Sequence, residues 1–420
     1  MTERVVVTGM GCVTPIGIGK EIAWRNALNG VCGIRKLPES NKLPAKLAAY
    51  IRDFETAAYI DPKEARRMDR FVHFAIASAD EAVRDSGLAI GDNADPFRTG
   101  VWIGSGVGGI ATFENGMKDV LARGYGRVSP YALTMYLPNT AASQVAIRYG
   151  ARGPTECSVT ACASGSNAIG GAFRAIQRGD ADVIIAGGTE APLCDIGIAS
   201  FAAMRALSLQ DEPESGSRPF DRRRDGLIMG EGAGILVLES WRHARARGAM
   251  PYAEVLGYGA CGEAYHIAAP RPDGSDWSRA MTLALKDAGL RPEQIDYMNA
   301  HGTGTIAGDL AETRAIRSVF GQYAYEVSIS STKSMSGHLL GASGAVEAIW
   351  SVLALHDQIV PPTIHYEEPD EEMDLDYTPN EARKRPVETA MSNTFAFGGH
   401  NAVLVFGRMP ERGDASDGLP

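Results

Sequence analysis

Cys157-Ser158-Val159-Thr160-Ala161-Cys162-Ala163-Ser164-Gly165-Ser166 joins two kinds of chain. The residues up to Thr160 close an apolar run, and from near Ser166 through Ala168 to Arg178 the sequence reads as an Ala-rich helix. An apolar run, a turn of small residues and a helix make one step of an α/β pattern. Cys162 stands in the turn, where small neighbours leave room for a substrate. The unpaired amides at the start of the next helix favour negative charge on a sulfur placed there. A merely buried cysteine is the plainer reading, because cysteine is among the most buried residue types.

The same alternation continues in both directions. Val5 to Thr8, Gly100 to Ile103 and Val183 to Ala186 read as strands, and Arg70 to Ser86 reads as a helix. A second set follows, with strands at Tyr252 to Tyr258, Ile295 to Ala300 and Ala402 to Phe406 around helices at Asp276 to Ala288 and Ala342 to Leu355. The 420 residues, 45% hydrophobic and 22% charged, supply a large core and are too many for one simple domain. No apolar run is long enough to cross a bilayer, and the N-terminus opens into a strand pattern, so a cytoplasmic protein without membrane contact is expected. The six cysteines, at 12, 32, 157, 162, 194 and 261, have no framework spacing and are expected to be free thiols. A net charge of −10 argues against nucleic acid as a partner.

Two histidines turn Cys162 from a packing residue into a candidate nucleophile. His301-Gly302-Thr303-Gly304-Thr305 and Lys333-Ser334-Met335-Ser336-Gly337-His338 each place a histidine just past a strand-like run. No zinc-like Cys pair or HExxH spacing is present, so no metal is expected. One cysteine and two separated histidines suit covalent acyl chemistry. A rival signal is Gly104-Ser105-Gly106-Val107-Gly108-Gly109, which satisfies the dinucleotide fingerprint of an NAD-dependent oxidoreductase. It lies deep in the chain, and Ile110 to Phe113 does not read as the start of an amphipathic helix.

The Cys162 segment, HGTGT at 301–305, KSMSGHLLGASGA at 333–345 and FAFGGHN at 395–401 occur in one order. Together they resemble the β-ketoacyl-acyl carrier protein synthases of the thiolase superfamily, nearest to the elongating type II enzymes, a group that includes the ketosynthase subunits of type II polyketide synthases. The resemblance runs from Arg4 to about Phe406. It implies a five-layered αβαβα sandwich of two duplicated halves, here residues 1–242 with the cysteine and 243–411 with the histidines. Residues 412–420 are expected to be disordered.

The resemblance also implies roles. Cys162 takes an acyl chain from a carrier thioester, and the N–H groups of Cys162 and Phe397 hold the oxyanion. His301 and His338 stabilise the enolate left when a malonyl thioester loses carbon dioxide. A neutral imidazole donates from one nitrogen only, so its tautomer matters. Lys333, among small residues, needs a buried partner, and Glu347 fits, with Lys333 giving electrostatic support. Thr303 and Thr305 either satisfy turn backbone or bond the carrier's pantetheine. Phe395 to Asn401 is the gating loop, closed by Phe397, and Ala396 stands where the family more often has Gly. Ala268 replaces a frequent Thr, and Leu133 to Asn139 departs from the segment that bounds the acyl pocket across a dimer.

The implied partners are an acyl carrier protein and a second ketosynthase-fold chain, identical or a homologous chain-length subunit, with no cofactor beyond the carrier's phosphopantetheine. The departures lean toward a specialised polyketide or polyene pathway over housekeeping fatty acid synthesis. Non-catalytic chain-length subunits lack the nucleophile that Cys162 supplies, and thiolases use a second cysteine near the C-terminus, whereas none follows Cys261 here. Lys63, Arg66, Arg67 and Arg70 cluster, with Arg66 and Arg70 at helical spacing, and the resemblance adds Arg127 and Arg205 as a carrier-docking patch. A solvated helix face is the alternative.

Overall fold

The computed structural model describes residues 2–38 and 45–409, so the expected tail at 412–420 lies outside the described residues. The first half runs β1 (Val5–Thr14), α1 (Arg70–Ser86), β2 (Thr99–Gly104), α2 (Ile110–Arg123), α3 (Thr140–Tyr149), β3 (Thr155–Glu156), α4 (Ser164–Gln177), β4 (Val183–Glu190) and β5 (Gly232–Ser240). The second half runs β6 (Ala253–Gly262), α5 (Ser275–Ala288), β7 (Tyr297–Asn299), α6 (Ile306–Phe320), β8 (Ser328–Ser330), α7 (Ser343–Asp357), β9 (Thr389–Ala396) and β10 (His400–Arg408). Helix ends follow local chemistry. The Asp69 side chain accepts the Phe71 N–H at the start of α1, and Gly87 ends it at φ 65°, a left-handed value that glycine adopts without strain.

The strand order shows the duplication that sequence identity between the halves is too faint to carry. The first half is ordered β3-β2-β4-β5-β1 and the second β8-β7-β9-β10-β6, which is third, second, fourth, fifth, first in both. The two sheets meet where β1 pairs antiparallel with β6, Val5 opposite Val255 and Val7 opposite Ala253. Helices α4 and α7 fill the space between the sheets with Phe173, Ile169, Trp350 and Ile349. Every residue of α7 from Ser343 to Leu355 is buried, as a helix covered on all sides requires. Outside, α1 and α3 cover the first sheet and α5 and α6 the second, each with its own apolar cluster. The result is the five-layered αβαβα sandwich.

Several local expectations change. Ile110 to Phe113 does enter a helix, α2, whose apolar residues lie on an exposed face rather than in the core. Arg66 and Arg70 do not share a helix, because a short helix ends after Ala65 and Asp69 caps a new one at Arg70. His338 follows a short helix, Lys333–Ser336, instead of a strand.

Candidate active site

Both central helices begin with a 3₁₀ turn, at Ala161–Ala163 before α4 and at Leu340–Ala342 before α7. Glycines let these turns touch: a Cβ on Gly165 would lie 2.9 Å from the Gly341 carbonyl oxygen, and one on Gly344 would lie 1.9 Å from Ser166 Oγ. Cys162 is the middle residue of the first turn and is buried. His338 stands beside it, held by its backbone between Ile228 O and Gly230 N, with Nε2 3.1 Å from Cys162 Sγ and Nδ1 2.8 Å from Ser343 Oγ. The His301 ring meets the His338 ring edge-on at 5.3 Å. A cavity of about 450 Å³ opens from Cys162, His301 and His338 past Phe397 and Thr303 to a rim at Arg205 and Ile267.

Burial pushes the Cys162 thiol up to about 12, and the Lys333 ammonium and the N–H groups of Cys162 and Phe397 reduce that rise without cancelling it. Desolvation is the largest of these influences on the sulfur. Burial and the nearby Lys333 charge hold both histidines well below the ordinary imidazole range, so both are neutral. Lys333 and Glu347 form a buried ion pair behind the histidines.

The His301 loop rests on two buried carboxylates of α6. Glu312 accepts the N–H groups of His301 and Gly302 at 2.8 and 2.7 Å, and Asp309 accepts those of Gly304 and Phe220. Burial raises Glu312 to about 7 and Asp309 to about 6. Thr305 caps α6 through Gly308 N, and its hydroxyl lies 2.9 Å from that of Thr303. Both threonines also line the cavity, so turn chemistry and cavity exposure coincide.

At the loop 395–401, Phe395 stacks on Trp277 at 4.3 Å and Phe397 approaches Phe201 at 6.0 Å. Positive φ falls on Gly398 and Gly399, while Ala396 is extended at φ −114°. Ala396 thus imposes no conformational restriction in this arrangement. Ala268, whose N–H points to His266 Nδ1, lines the cavity.

Of the basic residues, Arg205 reaches the cavity rim. Lys63, Arg66, Arg67 and Arg127 are exposed and lie outside its wall; Arg67 stacks over Tyr131 at 4.9 Å and bonds Glu64. Arg70 is half-buried and pairs with Glu231 at 2.8 Å.

The glycine-rich loop after β2 does precede a helix, yet its amides are already occupied. Glu190 at the end of β4 takes Ser105 Oγ at 2.7 Å and the N–H groups of Gly106, Val107 and Gly341. A carboxylate thus fills the place a pyrophosphate would need. Neither Glu190 nor the pair Asp309 and Glu312 was singled out by the sequence reading. The available signals were an acid closing an apolar strand and two acids three apart on one helix.

Among the described residues no three His, Cys, Asp or Glu side chains gather to hold a metal. Asn299 Oδ1, Ser392 Oγ and Glu347 Oε2 are among the buried oxygens without a hydrogen-bond partner, and Asn299 and Ser392 lie opposite each other on β7 and β9 under α7. No described helix is long and apolar enough to cross a membrane.

Comparisons with known proteins identify the family. The beta-ketoacyl synthase N-terminal domain matches residues 2–244 and the C-terminal domain matches 252–367, so the chain belongs to the beta-ketoacyl synthase family and is an acyltransferase. It is 54% identical over 406 residues to 3-oxoacyl-[acyl-carrier-protein] synthase 2 of Staphylococcus aureus (strain N315), covering 96% of this chain and 98% of the relative. It is similar to a type II polyketide synthase acyl-carrier protein in complex with its ketosynthase bound to the hexaketide, with a TM-score of 0.89 and 35% identity over 97% of this chain and 100% of that one. The ishigamide ketosynthase/chain length factor superposes with a TM-score of 0.91 and 35% identity over 98% of this chain and 100% of that one.

Proposed function

We propose that this chain extends carrier-bound acyl chains by decarboxylative Claisen condensation. The observation that carries the reading is His338 Nε2 at 3.1 Å from Cys162 Sγ, with His301 alongside at the foot of an open cavity. Cys162 Sγ attacks the acyl thioester carbon, the bond to the pantetheine sulfur breaks, and the thiol proton ends on that departing sulfur. The N–H groups of Cys162 and Phe397 hold the oxyanion. A malonyl thioester then occupies the cavity; its C–C bond breaks to release carbon dioxide, and the electrons pass to the thioester oxygen. Neutral His301 and His338 donate to that enolate oxygen, and Lys333 adds positive potential from behind. The enolate carbon attacks the acyl-cysteine, Sγ leaves as a thiolate that takes a proton from solvent water, and a β-ketoacyl chain remains on the carrier. Thr303 and Thr305 serve the pantetheine arm and Phe397 gates the pocket.

The division at 242/243 assigns the nucleophile to the first half and the enolate donors to the second. The partners in this reading are an acyl carrier protein, docking over Lys63, Arg66, Arg67, Arg127 and Arg205, and a second ketosynthase-fold chain. Supporting the latter, Phe113, Met117 and Leu121 form a row along α2 that is exposed to 51%, 45% and 81%, and Leu133 beside it is exposed to 58%. The second chain is a copy of this one or a chain-length subunit, and native mass spectrometry with and without candidate partners distinguishes them. No cofactor is needed beyond the carrier's phosphopantetheine, and the reaction takes place in the cytoplasm. The 54% identity to the Staphylococcus aureus relative supports fatty acid elongation, and the 35% identity to polyketide ketosynthases supports a specialised pathway less strongly. Intact mass spectrometry of acyl carrier protein after incubation with malonyl and acyl carriers tests the whole: β-ketoacyl product is expected, and its absence from a folded enzyme with every candidate partner overturns the reading.

A further inference from the structure

The two serines that open the central helices use their hydroxyls differently. Ser164 Oγ donates to Ala161 O at 2.7 Å and accepts the Thr160 N–H at 3.0 Å, so it is spent on its own turn. Ser343 occupies the matching position in the second half, is 1% exposed, and turns to His338 Nδ1 at 2.8 Å. No other hydrogen bond of that hydroxyl is made among the described residues.

We propose that Ser343 is the positioning residue that fixes His338 in the tautomer carrying its proton on Nε2. The argument is one of proton placement. A neutral imidazole has one N–H, and a serine hydroxyl has one hydrogen to place. If Ser343 Oγ–H donates to Nδ1, both groups are satisfied and the His338 N–H sits on Nε2. If Nδ1–H donates to Oγ, the serine hydrogen is buried without an acceptor, an arrangement that folded proteins avoid. The first arrangement aims Nε2–H at Cys162 Sγ and at whatever oxygen replaces it in the cavity. His301 has no such anchor, since its Nδ1 is buried without a partner. The surrounding charges are the same with and without the Ser343 hydroxyl: Lys333 acts on His338, and Lys333 and Glu190 act on Cys162, in the wild type and in Ser343→Ala alike.

The inference rests on the condensing reading for its functional meaning, but its test does not use that reaction. In ¹⁵N-histidine-labelled full-length protein, with the His338 signals assigned by their loss in His338→Gln, the one-bond N–H coupling is expected on Nε2. Ser343→Ala should mix the tautomers and slow alkylation of Cys162 by iodoacetamide roughly three- to tenfold across neutral pH, the worth of about one neutral hydrogen bond. Ser343→Thr, which keeps the hydroxyl, should restore both. A wild-type proton on Nδ1, or an unchanged tautomer and alkylation rate in a folded Ser343→Ala protein, overturns the assignment while leaving the condensing reading intact. Failure of the wild type to form β-ketoacyl carrier overturns that reading and leaves the tautomer measurement decisive.

Discussion

Cys162 and Gly341 occupy the same place in the two halves of the fold. Each is the middle residue of a 3₁₀ turn whose first residue has positive φ, 49° at Ala161 and 47° at Leu340, and each turn opens a central helix. The duplicated frame therefore has two equivalent turn positions, with a cysteine at one and a glycine at the other. At the second position the backbone N–H is committed to Glu190 at 2.9 Å, and a Cβ would stand 2.5 Å from Glu190 Oε2 and from Gly106 N. Gly341→Ala is expected to destabilise the protein by about 1–3 kcal/mol, because these neighbours are fixed by hydrogen bonds and cannot yield. Denaturant melts check this, and an unchanged midpoint would show that the turn has slack.

Cys162→Ala should abolish acyl transfer and condensation, by about 10³-fold or more, with the melting temperature nearly unchanged. The substitution deletes the sulfur and little volume. Wild-type condensation by the folded variant would remove Cys162 from the mechanism.

His301→Ala and His338→Ala should each slow malonyl decarboxylation more than acylation of Cys162, since the sulfur and the N–H groups of Cys162 and Phe397 remain. Intact-mass acylation alongside carbon dioxide release separates the two steps. Equal loss of both would assign the histidines a role in holding the site together.

Glu312 makes stability depend on pH in an unusual direction. Burial raises its carboxyl to about 7, so the fold prefers the protonated form. Its contribution is complete below the ordinary carboxylate range and is lost as pH rises through about 7. Glu312→Gln keeps an acceptor for the His301 loop and does not titrate. The stability of the wild type relative to this variant should fall between pH 5 and pH 8 by on the order of 2–3 kcal/mol. A constant difference across that range would mean that Glu312 is ionised throughout.

Arg66→Glu combined with Arg67→Glu should raise KM for acyl carrier protein substrates and leave a short pantetheine thioester nearly unaffected. The chain carries −10 overall, so a local basic patch is what would steer an acidic carrier. The effect should shrink with added salt, because screening at physiological ionic strength acts over about 8 Å. Similar losses with both substrates would assign these arginines to the fold.

Local pattern reached the site further than it reached the frame. Cys162, His301 and His338 stand in small-residue loops beside strong apolar runs, and such contrasts are visible in one dimension. Ser328–Ser330 and Thr155–Glu156 are strands only because a neighbour pairs with them, and a Ser-Ile-Ser triplet or a Thr-Glu pair is too short to carry a period. Gly232–Ser240 begins with glycines that read as turn, yet a Cβ on Gly234 would strike the start of α7 at Val346 N, 2.7 Å away. Arg66 and Arg70 suggested one helix, and the break came from Asp69, whose side chain is more useful as a cap. Glu190 is marked in the sequence only as an acid closing an apolar strand, and its role does not show there because its four donors come from two distant loops, one in each half.

Strand β1 lies at the middle of the sheet, and its neighbours are β5 and β6, with Val5 opposite both Ser240 and Val255. A chain emerging from the ribosome therefore makes Val5-Val6-Val7 long before anything exists for it to pair with. At about 5–20 residues per second the wait is roughly 10–50 s. During that time an apolar, β-branched segment has no strand partner within its own molecule, which places a hazard of aggregation in the interval before β5 is made and makes closure of this fold a late, long-range event.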